Sequence, residues 1–119
     1  MKKTVSILGS TGSIGISTLE IIDKKNNFFK INLLSANKNF KLICRQINKY
    51  KPNYFIINDS TIYKKTKKRF KKNKIKILND FNKIFLKKNE ITISAIPGIA
   101  GLLPTLTMIK ISKKILIAN

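Results

Sequence analysis

The chain has 119 residues, which is enough for one domain with its own core but small for an enzyme that also holds a separate substrate. With one cysteine and no histidine, the sequence excludes disulfide frameworks, zinc clusters and nucleophile systems built on Ser/His/Asp or Cys/His. A formal charge of +20 makes a nucleic-acid partner a hypothesis to weigh.

An apolar strand predicted at Thr4–Leu8 leads into the segment Gly9–Gly15, with the sequence GSTGSIG, and then into a helix predicted at Ser13–Lys25. Glycines between a strand and a helix let the backbone pass close to a pyrophosphate, whose charge is met by free N–H groups and the helix dipole. The spacing is G-x-x-G-x-x-G rather than G-x-G-x-x-G, so an ordinary tight turn capped by Ser10 or Ser13 is the alternative. The phosphate loop of triphosphatases is not favoured, because it needs a lysine directly after its last glycine.

The apolar faces of the first two helices predict how these helices pack. In the first helix, the stripe predicted to face the sheet consists of Ile14, Thr18, Ile21 and Ile22. Glu20 and Asp23 fall on the opposite side and are predicted to be surface groups. In the second helix, predicted at Phe40–Tyr50, Cys44 falls on the apolar side, which favours packing over chemistry.

The predicted second strand, Lys30–Ser35, ends without an acidic residue, whereas NAD-preferring sites place Asp or Glu there to bind the ribose 2′-hydroxyl. The strand is followed by Asn37, Lys38 and Asn39. Lys38 would pair with a 2′-phosphate, and the flanking asparagines would donate hydrogen bonds to it. This segment favours NADP over NAD, the alternative being that Lys38 is an ordinary surface lysine.

The densest basic run spans residues 64–76, where nine of the thirteen residues are Lys or Arg. Such a run is typical of segments that bind a nucleic-acid backbone. However, Arg45 and Arg69 are the only arginines of the chain, and Phe70 is the only aromatic residue of the run. Proteins that read nucleic acids favour arginine and interleave aromatic residues for stacking, so a solvated helix face is favoured over a nucleic-acid site.

Residues 91–109 carry no charge and are nearly numerous enough to span a bilayer. Pro97, Gly98, Gly101 and Pro104 would break a spanning helix, so a strand, a turn and a helix explain the same residues better. The start of the chain also lacks the long apolar stretch of a signal peptide. We therefore expect a reduced, cytoplasmic protein without a membrane segment.

Apolar runs rich in Ile, Val, Leu and Phe alternate with amphipathic segments of helical length, which predicts a parallel sheet with crossover helices. The predicted strands are Thr4–Leu8, Lys30–Ser35, Tyr54–Asn58, Lys74–Leu78, Ile91–Ile96 and Lys114–Ala118. The predicted helices are Ser13–Lys25, Phe40–Tyr50, Ser60–Lys72, Asp80–Lys87 and Leu102–Ser112. The pattern predicts a Rossmann-like, doubly wound α/β fold with a mostly parallel sheet in three layers, as a single domain over residues 1–119.

Several motifs, spread in order over the whole chain, resemble one enzyme family. They are Thr4–Gly15 (TVSILGSTGSIG), Ser17–Leu19 (STL), Ala36–Asn39 (ANKN), Gly98–Thr105 (GIAGLLPT) and Ile115–Asn119 (ILIAN). Together they closely resemble 1-deoxy-D-xylulose 5-phosphate reductoisomerase. The pairing of GSTGSIG near the start with GLLPT near the end is far more specific than a glycine motif alone.

The resemblance implies an enzyme of the non-mevalonate isoprenoid pathway, which rearranges a sugar phosphate and reduces it with NADPH to 2-C-methyl-D-erythritol 4-phosphate. It also implies a divalent metal, Mg²⁺ or Mn²⁺, a homodimer, and an amino-terminal domain that binds NADPH. The positions that match the family's cofactor contacts are Thr11, Gly12, Ser13 and Ile14 at the pyrophosphate, Lys38 and Asn39 near the 2′-phosphate, and Asn119 near the nicotinamide. Asn37 is counted with the cofactor-binding residues as a contact through its backbone.

The chain departs from the family pattern at Asn37, where glycine is common, and at Pro97. In the family a Lys-Glu pair follows the asparagine that matches Asn119, and the carboxylate metal ligands come later, so we assign no catalytic or metal-binding residue. The expectation is a truncated chain that holds the dinucleotide and is inactive by itself. The alternative is a stand-alone nucleotide-binding or basic nucleic-acid interaction module without catalysis.

Overall fold

The computed structural model describes residues 2–81 and 89–118 and forms a sheet of six strands with helices packed against it. The strands are β1 (Lys3–Leu8), β2 (Phe29–Ala36), β3 (Tyr54–Ile57), β4 (Lys76–Leu78), β5 (Asn89–Ser94) and β6 (Ser112–Ile117). The helices are α1 (Ser13–Lys24), α2 (Phe40–Tyr50), α3 (Ser60–Arg69) and α4 (Leu102–Ile109), the last preceded by a 3-10 turn at Gly98–Gly101.

The strand order is β4-β3-β2-β1-β5-β6, and every pairing among these strands is parallel. The chain therefore starts in the middle of the sheet, builds outward to β4, and then returns to build β5 and β6 on the other side of β1. In such sheets ligands bind at the carboxyl ends of the strands, where the winding direction reverses. The predicted Rossmann-like, doubly wound α/β fold is confirmed, and β1 lies at its reversal point.

Two apolar clusters, one on each face of the sheet, make up the core. The larger cluster joins β1, β2 and β3 to Leu19 of α1 and to Ile43, Cys44 and Ile47 of α2. The smaller cluster packs the other face of the same strands against Met108 of α4 and Phe81. Cys44 lies in the larger cluster, so its predicted packing role is confirmed.

The pairing of β1 with β2 contains an irregularity that decides which side chains share a face. Val5 pairs with Ile31, whereas the next residue, Ser6, pairs with Leu33. Asn32 is thus an extra residue in β2, and such a residue reverses the alternation of the side chains that follow it. As a result, Ile31 and Leu34 both belong to the larger cluster, although they are three positions apart.

The predicted apolar stripe of α1 is partly wrong. Ile14 is 40% exposed and Ile21 is 63% exposed, whereas Gly15 and Leu19 are the buried residues of this helix. Compared with the predicted orientation, α1 is rotated about its axis so that Leu19 faces the sheet. This orientation places Gly15, which has no side chain, directly against the preceding turn.

Most predicted element positions are confirmed to within a few residues. Helix α3 ends at Arg69 and helix α4 at Ile109, each earlier than predicted. The helix predicted at Asp80–Lys87 lies mostly outside the described residues. Residues 91–109 contain most of β5, then the 3-10 turn and α4, so the strand, turn and helix interpretation of this apolar segment is confirmed. Within residues 2–81 and 89–118, no helix combines the length and apolar character needed to cross a membrane.

Candidate functional site

The segment Gly9–Gly15 forms the turn between β1 and α1, at the carboxyl end of the central strand. Its first glycine, Gly9, has a φ of +81°, a left-handed conformation that disfavours side chains. A Cβ at Gly9 would also lie 3.1 Å from the backbone of Ala95, which follows β5. The turn is therefore a tight one, held against the end of the neighbouring strand.

The last and middle glycines of the turn have different surroundings. A Cβ at Gly15 would overlap the carbonyl oxygen of Gly9 and lie 2.7 Å from Cα of Ser10, so only glycine allows α1 to start this close to the turn. A Cβ at Gly12 would meet only the oxygen of Gly9, at an ordinary 3.8 Å. Gly12 is exposed, so the backbone there is open to a ligand.

The N-terminus of α1 is open to an anion. Gly12 is the N-cap residue and has no side chain to accept hydrogen bonds from the first-turn N–H groups. The first turn of α1 also contains no acidic residue. The first helical hydrogen bond runs from the N–H of Ile16 to the oxygen of Gly12, at 2.9 Å. The N–H groups of residues 13–15 thus belong to the unpaired helix start, which binds phosphate well. The capping by Ser10 or Ser13 that accompanied the alternative of an ordinary tight turn is absent, because α1 has no side-chain cap.

The side chain of Ser10 points into the protein, toward Gln46 of α2 and the end of β2. Its Oγ lies 2.7 Å from Oε1 of Gln46, and Nε2 of Gln46 donates to the carbonyl oxygen of Ser10 at 2.9 Å. The N–H of Gly9 reaches both the carbonyl oxygen and Oγ of Ser35, each at 3.1 Å. Our sequence reasoning missed Gln46, although a polar residue beside the apolar positions 43, 44 and 47 of a helix is a signal for a buried hydrogen-bond partner.

The second predicted segment, residues 37–39, lies between β2 and α2. All three residues are exposed. Asn39 is the N-cap of α2, and its Oδ1 accepts from the N–H of Leu42 at 3.2 Å. Since its oxygen serves the helix, Asn39 can offer only Nδ2–H groups to a phosphate. Lys38 has its carbonyl bound to the N–H of Phe40, at 2.9 Å, while its ammonium group belongs to an exposed side chain.

The two predicted segments lie at the same edge of the sheet. Strands β1 and β2 are parallel neighbours, and Leu8 at the end of β1 pairs with Ser35 at the end of β2. The turn after β1 therefore lies beside the segment after β2, as expected for residues that bind one dinucleotide. Asn119, the remaining predicted contact, lies outside the described residues.

The basic run of residues 64–76 begins on α3 and continues beyond the end of this helix, and its basic side chains are exposed to solvent. Thr66 and Phe70 face the core, and the lysines between and around them are exposed. Two of its basic groups contact Phe40 at the start of α2: Nζ of Lys65 lies 4.4 Å from the ring centroid and Cζ of Arg69 lies 5.9 Å from it. Their charges add positive potential beside α2.

The thiol of Cys44 is protected from reaction. Burial raises the pKa of Cys44, and the charges of Arg69 and Lys65 oppose this rise by a smaller amount. A thiol with a raised pKa is a poor nucleophile and a poor metal ligand at neutral pH. The position therefore serves packing.

The acidic residues are scattered along the chain, and three of them have structural partners. Asp59 caps α3 by accepting from the N–H of Ile62 at 3.0 Å, Asp23 lies 3.8 Å from Nζ of Lys49, and Glu90 lies 3.6 Å from Nζ of Lys113. Across residues 2–81 and 89–118, no group of three or more His, Cys, Asp or Glu side chains is arranged to hold a metal. The described residues thus do not fit a divalent metal site.

Comparison with known proteins points to one family. The family model for 1-deoxy-D-xylulose 5-phosphate reductoisomerase matches residues 5–119. Proteins of that name from Pelagibacter ubique, from Buchnera aphidicola of Schizaphis graminum and from Clostridium novyi are 44%, 43% and 41% identical to the chain. Each match covers 98% of this chain, which spans about a third of the length of these curated relatives (31% to 32%).

Solved structures of the same enzyme have the same fold. The enzyme from Zymomonas mobilis in complex with NADPH superimposes with a TM-score of 0.88 at 29% identity, over 100% of this chain and 32% of the other. A reductoisomerase in complex with NADPH, fosmidomycin and magnesium gives a TM-score of 0.85 at 26% identity, over 98% of this chain and 30% of the other.

Proposed function

The chain belongs to the 1-deoxy-D-xylulose 5-phosphate reductoisomerase family, and from this membership we propose that it binds NADPH as the cofactor part of such an enzyme. The observation that carries the proposal is the position of two segments at neighbouring strand ends. One segment is the glycine turn at the open N-terminus of α1, and the other is the basic, amide-rich segment before α2. In a Rossmann-like unit, the turn after the first strand meets the pyrophosphate and the end of the second strand approaches the adenosine ribose of the same dinucleotide.

We assign the pyrophosphate to the turn, with Thr11, Gly12, Ser13 and Ile14 as its contacts. The helix dipole and the first-turn N–H groups of α1 stabilise the negative charge, and the open backbone at Gly12 allows close approach. Ile14 is exposed beside this turn, where an apolar side chain can cover part of the bound cofactor.

We assign the 2′-phosphate of the adenosine ribose to Asn37, Lys38 and Asn39. The Lys38 ammonium supplies a charge-assisted hydrogen bond, and Nδ2 of Asn39 supplies a further donor. The segment lacks the carboxylate that would bind a free 2′-hydroxyl and repel a phosphate, so the site prefers NADPH to NADH. Asn119 is assigned to the nicotinamide side on the family resemblance alone.

The activity proposed for the enzyme to which this part belongs is the rearrangement of 1-deoxy-D-xylulose 5-phosphate and its reduction to 2-C-methyl-D-erythritol 4-phosphate. NADPH supplies the hydride for that reduction. The residues of this chain bind and orient the cofactor, and we assign no catalytic or metal-binding residue among them. A divalent metal, a homodimer and a cytoplasmic location are further proposals that rest on the family.

The test is a calorimetric titration of the complete gene product with NADPH, NADH and a duplex oligonucleotide, at low and moderate salt. We expect one-site binding of NADPH that persists at moderate salt and is at least roughly tenfold tighter than NADH binding. Oligonucleotide binding by exposed lysines would instead fall steeply with salt. A folded sample that binds the oligonucleotide but neither dinucleotide would refute the proposal and favour a basic interaction module.

A further inference from the structure

We propose that Gln46, a buried residue of α2, is a positioning residue for the pyrophosphate site. This inference rests on the proposed function, because it concerns the turn to which the pyrophosphate is assigned. Gln46 is 3% exposed and lies on α2, whose amino end carries the segment assigned to the 2′-phosphate. Helix α2 therefore contacts both parts of the candidate site.

The geometry shows that Gln46 holds Ser10 at two points. Its Oε1 lies 2.7 Å from Oγ of Ser10, and its Nε2 donates to the carbonyl oxygen of the same residue at 2.9 Å. The amide thus binds both the side chain and the backbone of Ser10, which restricts rotation of the turn about that residue. An amide side chain offers a donor and an acceptor on separate atoms without a charge, so it can bind both groups of Ser10 at once.

The end of β2 holds the turn from a second side. The N–H of Ser10 donates to the carbonyl oxygen of Ser35 at 2.8 Å, and the N–H of Gly9 lies 3.1 Å from both oxygens of Ser35. Ser10 and Ser35 are buried, so these hydrogen bonds lie away from water. Buried polar networks of this kind rigidify the backbone to which they bind.

The consequence is a turn whose N–H groups face the ligand before the ligand arrives. If Gln46 loses its amide, the turn keeps the hydrogen bonds to Ser35 but loses both contacts with α2. The turn then samples other conformations, and NADPH must pay the ordering free energy on binding. The affinity is lost at the pyrophosphate, because residues 37–39 keep the Asn39 cap that orders the start of α2.

The experiment compares two ligands in the complete gene product and its Gln46→Met variant. Methionine keeps the length and volume of the side chain and removes both hydrogen bonds. The ligands are NADPH and adenosine 2′-monophosphate, which carries the 2′-phosphate but no pyrophosphate. We expect the Kd for NADPH to rise roughly tenfold, from the loss of two buried hydrogen bonds, and the Kd for adenosine 2′-monophosphate to change less than about twofold.

The matched control is Thr66→Val, which removes a buried hydroxyl from α3 whose Oγ1 donates to the carbonyl of Ile62 at 2.7 Å. We expect this variant to lower the free energy of unfolding without changing the Kd for NADPH. If Gln46→Met does not fold, Ser10→Ala tests the side-chain half of the contact, because it removes the hydroxyl that donates to Oε1 of Gln46 at 2.7 Å and lies 3.2 Å from the carbonyl oxygen of Ser35. Where both variants fold, the double variant should lose less affinity than the product of the two single losses.

An unchanged Kd for NADPH in Gln46→Met, or an equal loss for the two ligands, would overturn the positioning role. A Kd for NADPH that rises no more in Ser10→Ala than in Thr66→Val would also overturn it. If the unmodified protein binds adenosine 2′-monophosphate and NADPH equally well, the pyrophosphate assignment fails first. If it binds neither, the proposed function itself is wrong, so the two failures are distinguishable.

Discussion

Two regions of the molecule differ in how completely their side chains are buried. Where α2 packs against β1 and β2, its apolar residues Ile43, Cys44 and Ile47 are buried in the larger cluster and the polar groups below the turn are paired. In the region of α4 and β6, Leu103 is 74% exposed and Ile117 is 68% exposed, as part of a larger set of exposed apolar residues that also contains Leu102, Leu106, Ile109 and Leu116. One α/β pattern thus produces a buried, hydrogen-bonded support for the glycine turn in one region and, among the described residues, an uncovered apolar surface in the other.

The two edge strands show the same difference. Strand β4 has three residues and begins with Lys76, and short, charged edges resist pairing with other chains. Strand β6 has six residues and presents Leu116 and Ile117 to water, among the residues that the structure describes. The glycine turn therefore depends on contacts within this chain, whereas α4 and β6 present an apolar surface that the described residues leave open.

The largest effect is expected from Gly15→Ala, in the buried region. The new methyl group would overlap the backbone of Gly9 and Ser10, which cannot move without breaking the turn. We expect a loss of about 3 kcal/mol or more in the free energy of unfolding, measured by urea denaturation. A variant that unfolds like the unmodified protein would show that α1 does not pack on the turn as described.

Gly12→Ala tests ligand binding separately from folding, because this glycine lies in the open part of the turn. The methyl group has room in the protein, and the φ of −78° suits alanine, so the free energy of unfolding should fall by less than about 1 kcal/mol. The same methyl group would occupy the space assigned to the pyrophosphate. We expect the Kd for NADPH, measured by calorimetry, to rise at least roughly tenfold. Unchanged NADPH binding would contradict the assignment.

The exposed region is tested by the double variant Leu103→Ser/Ile117→Ser in the 119-residue polypeptide. Removing two large exposed side chains should reduce self-association, because contiguous apolar surface drives it. The measurement is sedimentation over a range of concentrations, with Leu19→Ser as the control in the buried region. We expect the double variant to stay folded and the control to unfold, since Leu19 is fully buried. Increased self-association of the double variant would contradict the comparison.

A smaller and more selective effect is expected from Lys38→Ala. The variant should raise the Kd for NADPH roughly fivefold and leave the Kd for NADH unchanged, since only NADPH carries the 2′-phosphate. Lys110→Ala, which changes an exposed lysine after α4, is the matched control and should change neither. Equal losses for the two dinucleotides in Lys38→Ala would mean that the lysine acts through general charge.

Much of the fold could be predicted because apolar runs and amphipathic segments alternate, and only a parallel sheet with crossover helices satisfies that order. The position of the candidate site followed from the same alternation, since the turn and residues 37–39 come directly after strands. The packed face of α1 could not be predicted by helical periodicity alone. Gly15 counts as neutral in such a pattern, yet its close contact with Gly9 decides the rotation of the helix.

The support below the turn also escaped prediction, for a different reason. Gln46 and Ser10 are 36 positions apart, and nothing local in the sequence links a glutamine on one helix to a serine before another. Their pairing depends on β2 lying beside β1 in the sheet and on the position along these strands at which α2 packs. The extra residue Asn32 in β2 is a similar case, because a shift of register is a property of two strands together.

The two phosphate assignments can be tested together by a crystal structure of the complete gene product with NADPH bound. We expect the pyrophosphate to contact the N-terminus of α1 at residues 11–14 and the 2′-phosphate to lie against Lys38 and Asn39. A cofactor bound elsewhere would contradict both assignments, for example in the basic cleft beside β4 lined by Phe70, Lys71 and Ile77.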